Sequence, residues 1–443
     1  MWAERIDPID EVATARLMSR EPGFAWLDAH RTDARDGRYS FLAAWPDAEL
    51  SEPFGSREPF RAIDGLGDPG GVVNLTGPKP NEVPGWIGFI AFDAFWSRPD
   101  RGKARFERKD EPVVCFRRYP ALMAVDHLDS ACWVIGDDEG ACRTFRARLA
   151  ACVPNAETPT EIGDLTVDDA AIHRAAIVRA LEHIARGDVY EVNLARRWSG
   201  SFEGHPFALW AAMREASPVP LGAYLSTPRG AILACTMERF LRWHAESKAL
   251  VTRPIKGTIR RGGEEAAATL LADPKERAEH SMVVDLMRND LGRVAEVGSV
   301  RVESPLTVEP FAGLFHLVST VSCLTRPEMT LAAILEATFP PGSVTGAPKL
   351  RALEIIEALE QHPRRAYCGA VGFIDRDGGV SLAVAIRTAT VVDAEVQYWA
   401  GGGIVEASDP DREVAETELK ARVFLEAVAH LRRKRDQSNS KTI

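Results

Sequence analysis

Apolar residues recur along the chain with two different periods, which predict both helices and strands. Over about residues 168–186, Ile177, Leu181 and Ile184 recur at i, i+4 and i+7, so they share one face of a predicted helix. Gly187 follows this helix as a candidate C-cap. Earlier in the chain, short apolar stretches such as WIGFIAFDAF and ALMAVDHL favour strands.

Two further helices are predicted from their start signals. In DPKERAEHSMVVDLM, Asp273 is suited to the N-cap and Pro274 to the first helical position. In GAPKLRALEIIEALEQ, Pro348 is predicted to begin a helix with Leu350 and Leu353 on its inner side.

The C-terminal part predicts strands followed by one more helix. Residues 367–374, 380–392 and 395–401 are rich in β-forming residues, and the short turns DRDGG and DAE predict antiparallel hairpins. A final helix is expected from about residue 409 to 431. The basic stretch 432–443 is expected to be a disordered tail.

A polar, Pro-containing break at residues 153–166 (VPNAETPTEIGDLT) is the best candidate for a boundary. It predicts an N-terminal lobe over residues 1–160 and a catalytic domain over residues 166–431. With 443 residues and 45% hydrophobic content, the chain is long enough to build a large core shared by two lobes.

Composition excludes several classes of function. The net charge of −10 argues against a nucleic-acid binder, whose footprint is basic. We find no apolar run near the roughly 18 residues of a membrane helix and no signal-peptide core. The seven cysteines are scattered without a CxxC pair, so we expect reduced thiols in a cytoplasmic protein.

Two pairs of glutamates recur at a spacing of three on predicted helices. Glu276 and Glu279 share a face of one helix, and Glu413 and Glu416 repeat this spacing on the last helix. Ordinary roles also fit, namely a capping box for Glu276 and an ion pair between Glu416 and Lys420. If the two pairs converge, their oxygens would suit Mg²⁺, which takes few carboxylates and bridges to anionic substrates.

Other stretches are candidates for binding anions. PPGSVTGAPK (340–349) leads into a helix N-terminus, and WAGGGIV (399–405) would let a backbone approach a carboxylate closely. Arg387, in the apolar run AVAIRTATVV, is either paired inside the core or directed at a ligand carboxylate. For Arg288 and Arg293 in DLMRNDLGR, we favour internal ion pairs at a helix end.

Six stretches within residues 168–425 resemble the chorismate-utilising enzymes: TRPIKGTIRRG, EHSMVVDLMRNDLGRV, FPPGSVTGAPKLRALEII, YCGAVGF, IRTATV and AGGGIVEASDPDREVAET. GRYSFLAAWP and PGWIGFIAFDAF resemble the first lobe of the anthranilate and aminodeoxychorismate synthase large subunits. The resemblance implies an α+β chorismate-binding fold. Large antiparallel sheets are expected to form a two-lobed, sandwich-like core with helices packed outside.

One residue discriminates between two branches of that family. Anthranilate synthases carry alanine in PIAGT, whereas the component I subunits of aminodeoxychorismate synthases carry lysine in PIKGT, as this chain does at Lys256. The resemblance therefore implies amination of chorismate at C4, through a covalent bond from the Lys256 amine to C2. Attack requires a neutral amine, so we expect burial and a nearby cation, such as Arg253, Arg260 or Arg261, to lower its pKa from about 10.4. The alternative is that Lys256 is a buried ion-pair partner.

The same resemblance implies the remaining site residues. Glu238, in TMERF, matches the family's general acid in PERF, and its pKa should be raised toward the working pH. Mg²⁺ is expected at Glu276, Glu279, Glu413 and Glu416. The positions implied to bind substrate are Gly257, Thr258, Thr345, Gly346, Tyr367, Arg387, Gly402 and Lys420.

Partners and alternative functions complete the set of expectations. Since the sequence shows no glutaminase Cys-His-Glu arrangement, the resemblance implies that ammonia comes from a separate glutamine amidotransferase subunit. WLDAH (26–30) stands where anthranilate synthases bind tryptophan with LLES, and a tryptophan in the N-terminal lobe is left open. The alternatives are anthranilate synthase component I and a non-catalytic chorismate-binding subunit.

Overall fold

The computed structural model describes residues 1–29, 36–67, 77–102, 104–106, 112–154, 160–311 and 314–440. Its strands and helices, in chain order, are β1 (Trp2–Ile6), α1 (Glu11–Met18), β2 (Ala25–Asp28), β3 (Tyr39–Ala43), β4 (Ala48–Pro53), β5 (Pro84–Ile90), β6 (Pro112–Arg118), β7 (Ala121–Asp126), β8 (Ala131–Gly136), α2 (Glu139–Ala151), β9 (Glu161–Ile162), β10 (Thr166–Val167), α3 (Ala170–Ala185), β11 (Glu191–Glu203), α4 (Pro206–Ala216), β12 (Leu221–Thr227), β13 (Gly230–Thr236), β14 (Arg239–Trp243), β15 (Ala249–Arg253), β16 (Ile255–Arg260), α5 (Glu264–Ala272), α6 (Pro274–Gly292), β17 (Arg301–Phe311), β18 (Leu314–Leu324), α7 (Leu331–Thr338), β19 (Gly346–Ala347), α8 (Lys349–Leu359), β20 (Ala370–Asp375), β21 (Val380–Val384), β22 (Thr388–Val392), β23 (Glu395–Ile404) and α9 (Pro410–Ser440).

Within the described residues, the strands form two large sheets. The first contains 13 strands, with the order β1-β8-β7-β3-β2-β12-β13-β22-β23-β11-β10, and both β9 and β19 pair with β11. The second contains 10 strands, with the order β16-β18-β15-β14-β21-β20-β5-β6-β4, and β17 pairs with β18. The predicted hairpins β20–β21 and β22–β23 form and are antiparallel, which confirms the antiparallel α+β fold.

The two sheets pack against each other because alternate residues of their strands point to opposite faces. On β2, Ala25 and Leu27 belong to a core cluster that also contains Phe89 and Leu382 of the second sheet. Trp26, between them, belongs to a second cluster with side chains of α4 and α9. The first sheet is therefore apolar on both faces, one covered by the second sheet and the other by helices.

Most predicted helices form at the expected positions. The N-cap side chain of α6, Asp273, accepts hydrogen bonds from the backbone N–H groups of Lys275 and Glu276. In α3, Ile177 is buried, and Gly187 follows the helix with a φ of +78°. In α8, Leu353 is buried as expected, but the expectation for Leu350 is wrong, since it is 54% exposed.

The predicted strand over residues 380–392 is two strands in different sheets. β21 lies in the second sheet beside β14, and β22 lies in the first sheet beside β13. The chain crosses between the sheets at residues 385–387, and Arg387 has a φ of +52°. Arg387 is therefore not inside a strand but at a corner. Apolar periodicity could not reveal this break, because both strands are buried.

The N-terminal and C-terminal segments share both sheets. In the first sheet β2 pairs with β12, and in the second sheet β5 pairs with β20. The stretch 153–166 separates the two segments along the chain, and residues 155–159 of it lie outside the described part. Strand pairing nevertheless crosses this boundary in both sheets, so the two segments form a joint core.

The C-terminal helix is longer than predicted. α9 continues to Ser440, so the segment expected to be disordered from residue 432 is helical over most of its length, and residues 441–443 lie outside the described part. Burial of Val428 and a hydrogen bond from Arg432 to the carbonyl of Ile162 hold the helix against the body. Among the described residues, we find no helix with the length and apolarity needed to cross a membrane.

Candidate active site

Lys256 is positioned by a β-bulge. β16 pairs with β18, and the register shifts between Lys256 and Thr258. Gly257, between them, has a φ of +69°, a conformation that glycine adopts without strain. Bulges of this kind redirect the neighbouring side chain. The sequence PIKGT thus places Lys256 on a short irregular strand, with only 15% of its side chain exposed.

The Lys256 ammonium contacts a carboxylate that sequence reasoning did not consider. Its Nζ lies 2.6 Å from Oε1 of Glu191, the first residue of β11, whose side chain is only 4% exposed. Burial lowers the pKa of Lys256, but the charge of Glu191 and its hydrogen bond outweigh burial, and the net pKa is raised. The expectation of a lowered pKa is therefore wrong for this arrangement, because the partner is an anion and not a cation.

Two of the three nearby arginines are engaged elsewhere. Arg253 forms ion pairs with Asp36 and Glu309, and Arg261 lies over the ring of Phe315. The charges that act most strongly on Lys256 are carboxylates, namely Glu191, Glu279 and Glu238. The alternative, a buried ion pair, thus describes the contact that Lys256 makes. Such a contact does not by itself exclude a role for Lys256 as a nucleophile.

Glu238 has the properties expected of a proton donor. It lies between β13 and β14 and is 4% exposed. Burial raises its pKa to about 7, against the opposing effects of a hydrogen bond with Ser343 and the charge of Lys256. The pKa of Glu238 is thus raised, which is the direction expected of a general acid. Its backbone is held by Thr236 Oγ1, which accepts from its N–H, and by the N–H of Val384, which donates to its carbonyl.

Consecutive glycines on β23 bring two groups of side chains together. A Cβ at Gly403 would lie 2.3 Å from Oε1 of Glu191 and 2.8 Å from Nζ of Lys256. A Cβ at Gly402 would lie 3.2 Å from Oε2 of Glu413 and 3.7 Å from Oε1 of Glu416. The Lys256–Glu191 pair lies beside Gly403, and the α9 glutamates lie beside the adjacent Gly402 of the same strand.

The predicted metal glutamates face each other from α6 and α9. Burial raises the pKa of Glu276, and the negative charges of Glu279 and Glu416 raise it further. Burial also raises the pKa of Glu413, with Glu416 adding to the effect and a hydrogen bond from Ser408 opposing it. Such mutual repulsion between oxygen donors is what a hard divalent cation would relieve.

The carboxylates of these glutamates lie farther apart than the ligands of a single metal ion. Within the described ranges, no three or more His, Cys, Asp or Glu side chains are close enough to ligate one ion. Two lysines take up part of the charge, since Lys420 lies 2.6 Å from Glu416 and Lys275 lies 3.6 Å from Glu279. The chemistry of the donor set fits Mg²⁺, and binding would require these side chains to rearrange.

The predicted substrate-binding residues fall into two groups. Near the α9 glutamates, Lys420 Nζ donates to the carbonyl of Gly401, and Arg387 donates to the carbonyl of Lys420 at 3.3 Å. Gly257 borders Glu276, since a Cβ there would lie 2.9 Å from its Oε2. Thr258 Oγ1 lies 3.1 Å from His316 Nδ1. The structure thus brings Gly257, Gly402 and Lys420 to the glutamate cluster, and it brings Arg387 to the backbone of Lys420.

Thr345, Gly346 and Tyr367 form the second group, whose described contacts are within the fold. Thr345 is fully buried, its hydroxyl donates to the carbonyl of Gly342, and its own carbonyl accepts from the N–H of Asn193. Gly346 pairs with Val192. These two residues therefore hold the beginning of β11, which carries Glu191. Tyr367 stacks on Trp399 with ring centroids 5.8 Å apart.

Two buried histidines were also missed. His316 Nδ1 lies 3.0 Å from the carbonyl of Gly257, and its Nε2 has no hydrogen-bond partner among the described residues. His280 Nε2 lies 2.6 Å from Ser319 Oγ. Burial lowers the pKa of each to about 4, so both imidazoles are neutral at pH 7. EHSMV and LFHLV contain these histidines, but spacing alone gave no reason to single them out.

Beside β2, a cavity lies next to the stretch where tryptophan was considered. Its lining includes Asp28, Tyr39 and Arg239. Asp28 is already bound by Arg214, at 2.9 Å. His30, at the end of WLDAH, lies outside the described residues.

Comparison with known proteins relates this site to a family. A model for chorismate-binding enzymes matches residues 44–426. Anthranilate synthase component 1 of Thermus thermophilus is 43% identical over 358 residues, which cover 78% of this chain and 77% of the relative. Aminodeoxychorismate synthase component 1 of Escherichia coli is 41% identical over 241 residues, which cover 53% of each chain.

A solved structure agrees with the sequence match. The crystal structure of anthranilate synthase component I from Streptococcus pneumoniae superposes with a TM-score of 0.77 at 28% identity, over 89% of this chain and 93% of that one. Since the family model spans most of the sequence and the fold matches that of a relative, the chain belongs to the chorismate-binding enzyme family.

Proposed function

We propose that this chain is component I of an aminodeoxychorismate synthase, which replaces the C4 hydroxyl of chorismate with ammonia-derived nitrogen to form 4-amino-4-deoxychorismate. The observation that carries the proposal is Lys256 in the PIKGT stretch, which is buried and lies within electrostatic reach of the buried carboxyl of Glu238. A lysine nucleophile divides one difficult displacement into two easier steps. The product would be a precursor of p-aminobenzoate and folate.

Each side chain has a defined task in this reaction. The Lys256 amine attacks C2, the ring double bonds shift, and the C4 hydroxyl leaves with a proton from Glu238. Ammonia then adds at C4 while the C2–nitrogen bond breaks. General acid catalysis by a positioned carboxyl typically contributes about 10²–10⁴-fold, and a pKa of about 7 suits this task.

We propose that Glu276, Glu279, Glu413 and Glu416 would hold Mg²⁺. When bound, the ion would neutralise and anchor a carboxylate of the substrate. Lys420, which lies against the same cluster, and Arg387, which donates to the carbonyl of Lys420, would pair with the negative charges of chorismate.

Ammonia would come from a separate glutamine amidotransferase subunit. Hydrolysis of glutamine by such enzymes uses a cysteine thiolate, which requires a lowered thiol pKa. Here burial raises the pKa of all seven thiols, for example that of Cys152 to about 11 and that of Cys235 to about 12. These cysteines are suited to packing and not to nucleophilic attack.

One observation favours the second candidate, anthranilate synthase component I. The Thermus relative of that name is 43% identical over 78% of this chain, whereas the Escherichia aminodeoxychorismate synthase is 41% identical over 53% and that of Streptomyces pristinaespiralis is 32% identical over 95%. Lys256 favours the first candidate. For tryptophan, we propose binding in the cavity beside Asp28, as a ligand of the N-terminal lobe. This proposal does not distinguish between the two candidates.

Product identification tests the proposal. The purified chain is incubated with chorismate, Mg²⁺ and ¹⁵N-ammonium, and products are identified by mass spectrometry with and without an aminodeoxychorismate lyase. We expect ¹⁵N-labelled aminodeoxychorismate, and ¹⁵N-labelled p-aminobenzoate when the lyase is added. Anthranilate fluorescence as the main outcome would establish the second candidate. Chorismate binding without turnover under any ammonia supply would establish a non-catalytic subunit.

A further inference from the structure

We propose that Glu191 is the base that takes a proton from the Lys256 ammonium as the lysine attacks, and returns it when the lysine is released. This inference rests on the proposed function, because it assigns a partner to the proposed nucleophile. It gives a catalytic task to a residue outside the predicted site, 65 positions from Lys256 along the chain.

The geometry suits direct proton transfer. Oε1 of Glu191 and Nζ of Lys256 are 2.6 Å apart, a distance typical of a short charge-assisted hydrogen bond. Both side chains are largely enclosed, at 4% and 15% exposure. No intervening water or conformational change is needed for the proton to cross.

The surrounding backbone is arranged to keep this pair in place. Glu191 begins β11, where it pairs with Ala347 of β19, and the N–H of Tyr190 donates to the carbonyl of Ala347. Opposite the pair, Gly403 supplies the space that any side chain would fill. A buried ion pair by itself contributes little to stability, so stability alone does not account for this arrangement.

Other ionisable groups near Lys256 are less suited to accept its proton. Glu238 is needed in its protonated form, Glu279 is associated with Lys275, and Glu416 is bound by Lys420. His280 is neutral and has its Nε2 against Ser319. Of the carboxylates in the described part of the chain, Glu191 is the one whose oxygen lies in contact with the amine.

The proton and electron pairs balance over the cycle. The Lys256 ammonium gives a proton to the Glu191 carboxylate, and the freed lone pair forms the bond to C2. The C4–oxygen bond breaks, and the hydroxyl leaves as water with the Glu238 proton. Ammonia forms the bond at C4, the C2–nitrogen bond returns its electrons to the lysine, and Glu191 returns the proton to the amine. The new C4 ammonium releases a proton that restores Glu238.

This scheme also explains how a lysine with a raised pKa can act as a nucleophile. The amine need not be neutral before substrate binds, because transfer within a contact pair converts two charges into two neutral groups without changing the net charge. In a buried site the neutral pair avoids the cost of holding separated charges.

The experiment measures formation of the covalent adduct separately from turnover. Chorismate is mixed with enzyme without ammonia, and the adduct on Lys256 is followed by intact-protein mass spectrometry between pH 6 and 10. For Glu191→Gln we expect adduct formation at pH 7 to be slower by about 10²-fold. The rate should rise with pH. Without the carboxylate, burial lowers the pKa of the Lys256 amine, and hydroxide can then remove its proton.

Controls separate this role from a structural one. Asp290→Asn removes the carboxylate from another buried lysine pair, Lys349–Asp290 at 2.5 Å, and should lower the melting temperature without altering the pH dependence of adduct formation. Glu191→Asp retains a carboxylate but places it farther from Lys256. It should lower the rate of adduct formation while keeping the wild-type pH dependence. It also serves as the test if Glu191→Gln does not fold.

The outcomes distinguish the two proposals. A wild-type adduct rate and pH dependence in Glu191→Gln, or a wild-type rate in Glu191→Asp, would overturn the role of Glu191, provided that Lys256→Ala forms no adduct. If Lys256→Ala still aminates chorismate at C4 at the wild-type rate, the lysine mechanism itself is wrong.

Discussion

At the residue scale, the site depends on groups whose charge is set by burial and by immediate partners. Glu238 is buried and has a pKa near 7, whereas Lys256 is buried and remains charged because Glu191 contacts it. Similar burial therefore leaves one group poised to titrate near neutral pH and the other charged. The residue type matters less than which partner lies within hydrogen-bonding distance.

Glu238 predicts the alkaline limb of the pH–rate profile. The acid must carry its proton to donate it, and with a pKa of about 7 the protonated fraction is nearly complete at pH 5 and falls as pH rises through 7. We expect kcat, compared at equal concentrations of free ammonia, to fall about tenfold by pH 8. Glu238→Gln should lower kcat by about 10²–10⁴-fold and remove this limb. A variant that keeps both the rate and the limb would exclude Glu238 as the acid.

We predict that adding a single methyl group at Gly403 lowers activity without disrupting the fold. The added Cβ of Gly403→Ala would overlap the ends of two flexible side chains, Glu191 and Lys256, which can move aside. We expect a folded protein with an unchanged circular dichroism spectrum and at least about tenfold less adduct, since misplacement by 1 Å can cost about 10²-fold.

Gly292→Ala is the matched control for this substitution. Nothing lies within 4 Å of the Cβ that would be added there, at the end of α6. This variant should keep full activity. Equal activity in Gly403→Ala and Gly292→Ala would show that the position of the pair is not critical.

At the element scale, two helices from distant parts of the chain present glutamates to one another. The side chain of Asp273 caps the N-terminus of helix α6. Helix α9 packs along the first sheet through residues such as Phe424. Glutamates three residues apart face the same side of each helix. The glutamates face each other only because the second sheet holds α6, through β16 and β18, and the first sheet holds α9, through β23.

The α6–α9 arrangement predicts that Mg²⁺ stabilises the fold. Binding to the native state alone raises the unfolding free energy by RT ln(1 + [Mg²⁺]/Kd), about 2.7 kcal/mol at one hundred times Kd. We expect the melting temperature to rise with MgCl₂ in the wild type and to respond much less in Glu276→Gln and Glu413→Gln. Glu426→Gln, on the exposed face of α9 beside Arg422, should respond like the wild type. An unchanged Mg²⁺ titration in the first two variants would place the ion elsewhere.

At the scale of the whole molecule, the N-terminal segment is part of the same core as the catalytic segment. Strands β2 and β5 pair with β12 and β20, and Asp36 forms ion pairs with Arg239 and Arg253. Removing residues 1–160 would expose strand edges in both sheets and uncover one side of the main cluster.

This shared core predicts cooperative unfolding. The full chain should unfold in a single transition by circular dichroism and by tryptophan fluorescence, with coincident midpoints. A fragment of residues 161–443 should be insoluble or lack a cooperative transition. A soluble fragment with its own sharp melting transition would instead show that residues 161–443 form an independent domain.

The sequence by itself determined the features that depend on neighbours in the chain. Helix periods and caps, the hairpin turns and the spacing of the paired glutamates could all be predicted, because local backbone geometry and side-chain period set them. The same reasoning failed where burial is uniform. The apolar run 380–392 shows no change of pattern at the corner near Arg387.

Only the tertiary structure decided which charges meet. Glu191 and Lys256 lie on strands of different sheets, and their contact depends on how the two sheets, β23 and its glycines are placed together. No local pattern encodes that distance, so the expected cation beside Lys256 proved to be a carboxylate. The electrostatic state of the site follows from packing over the whole chain, because Coulomb interactions depend on separation in space and on burial.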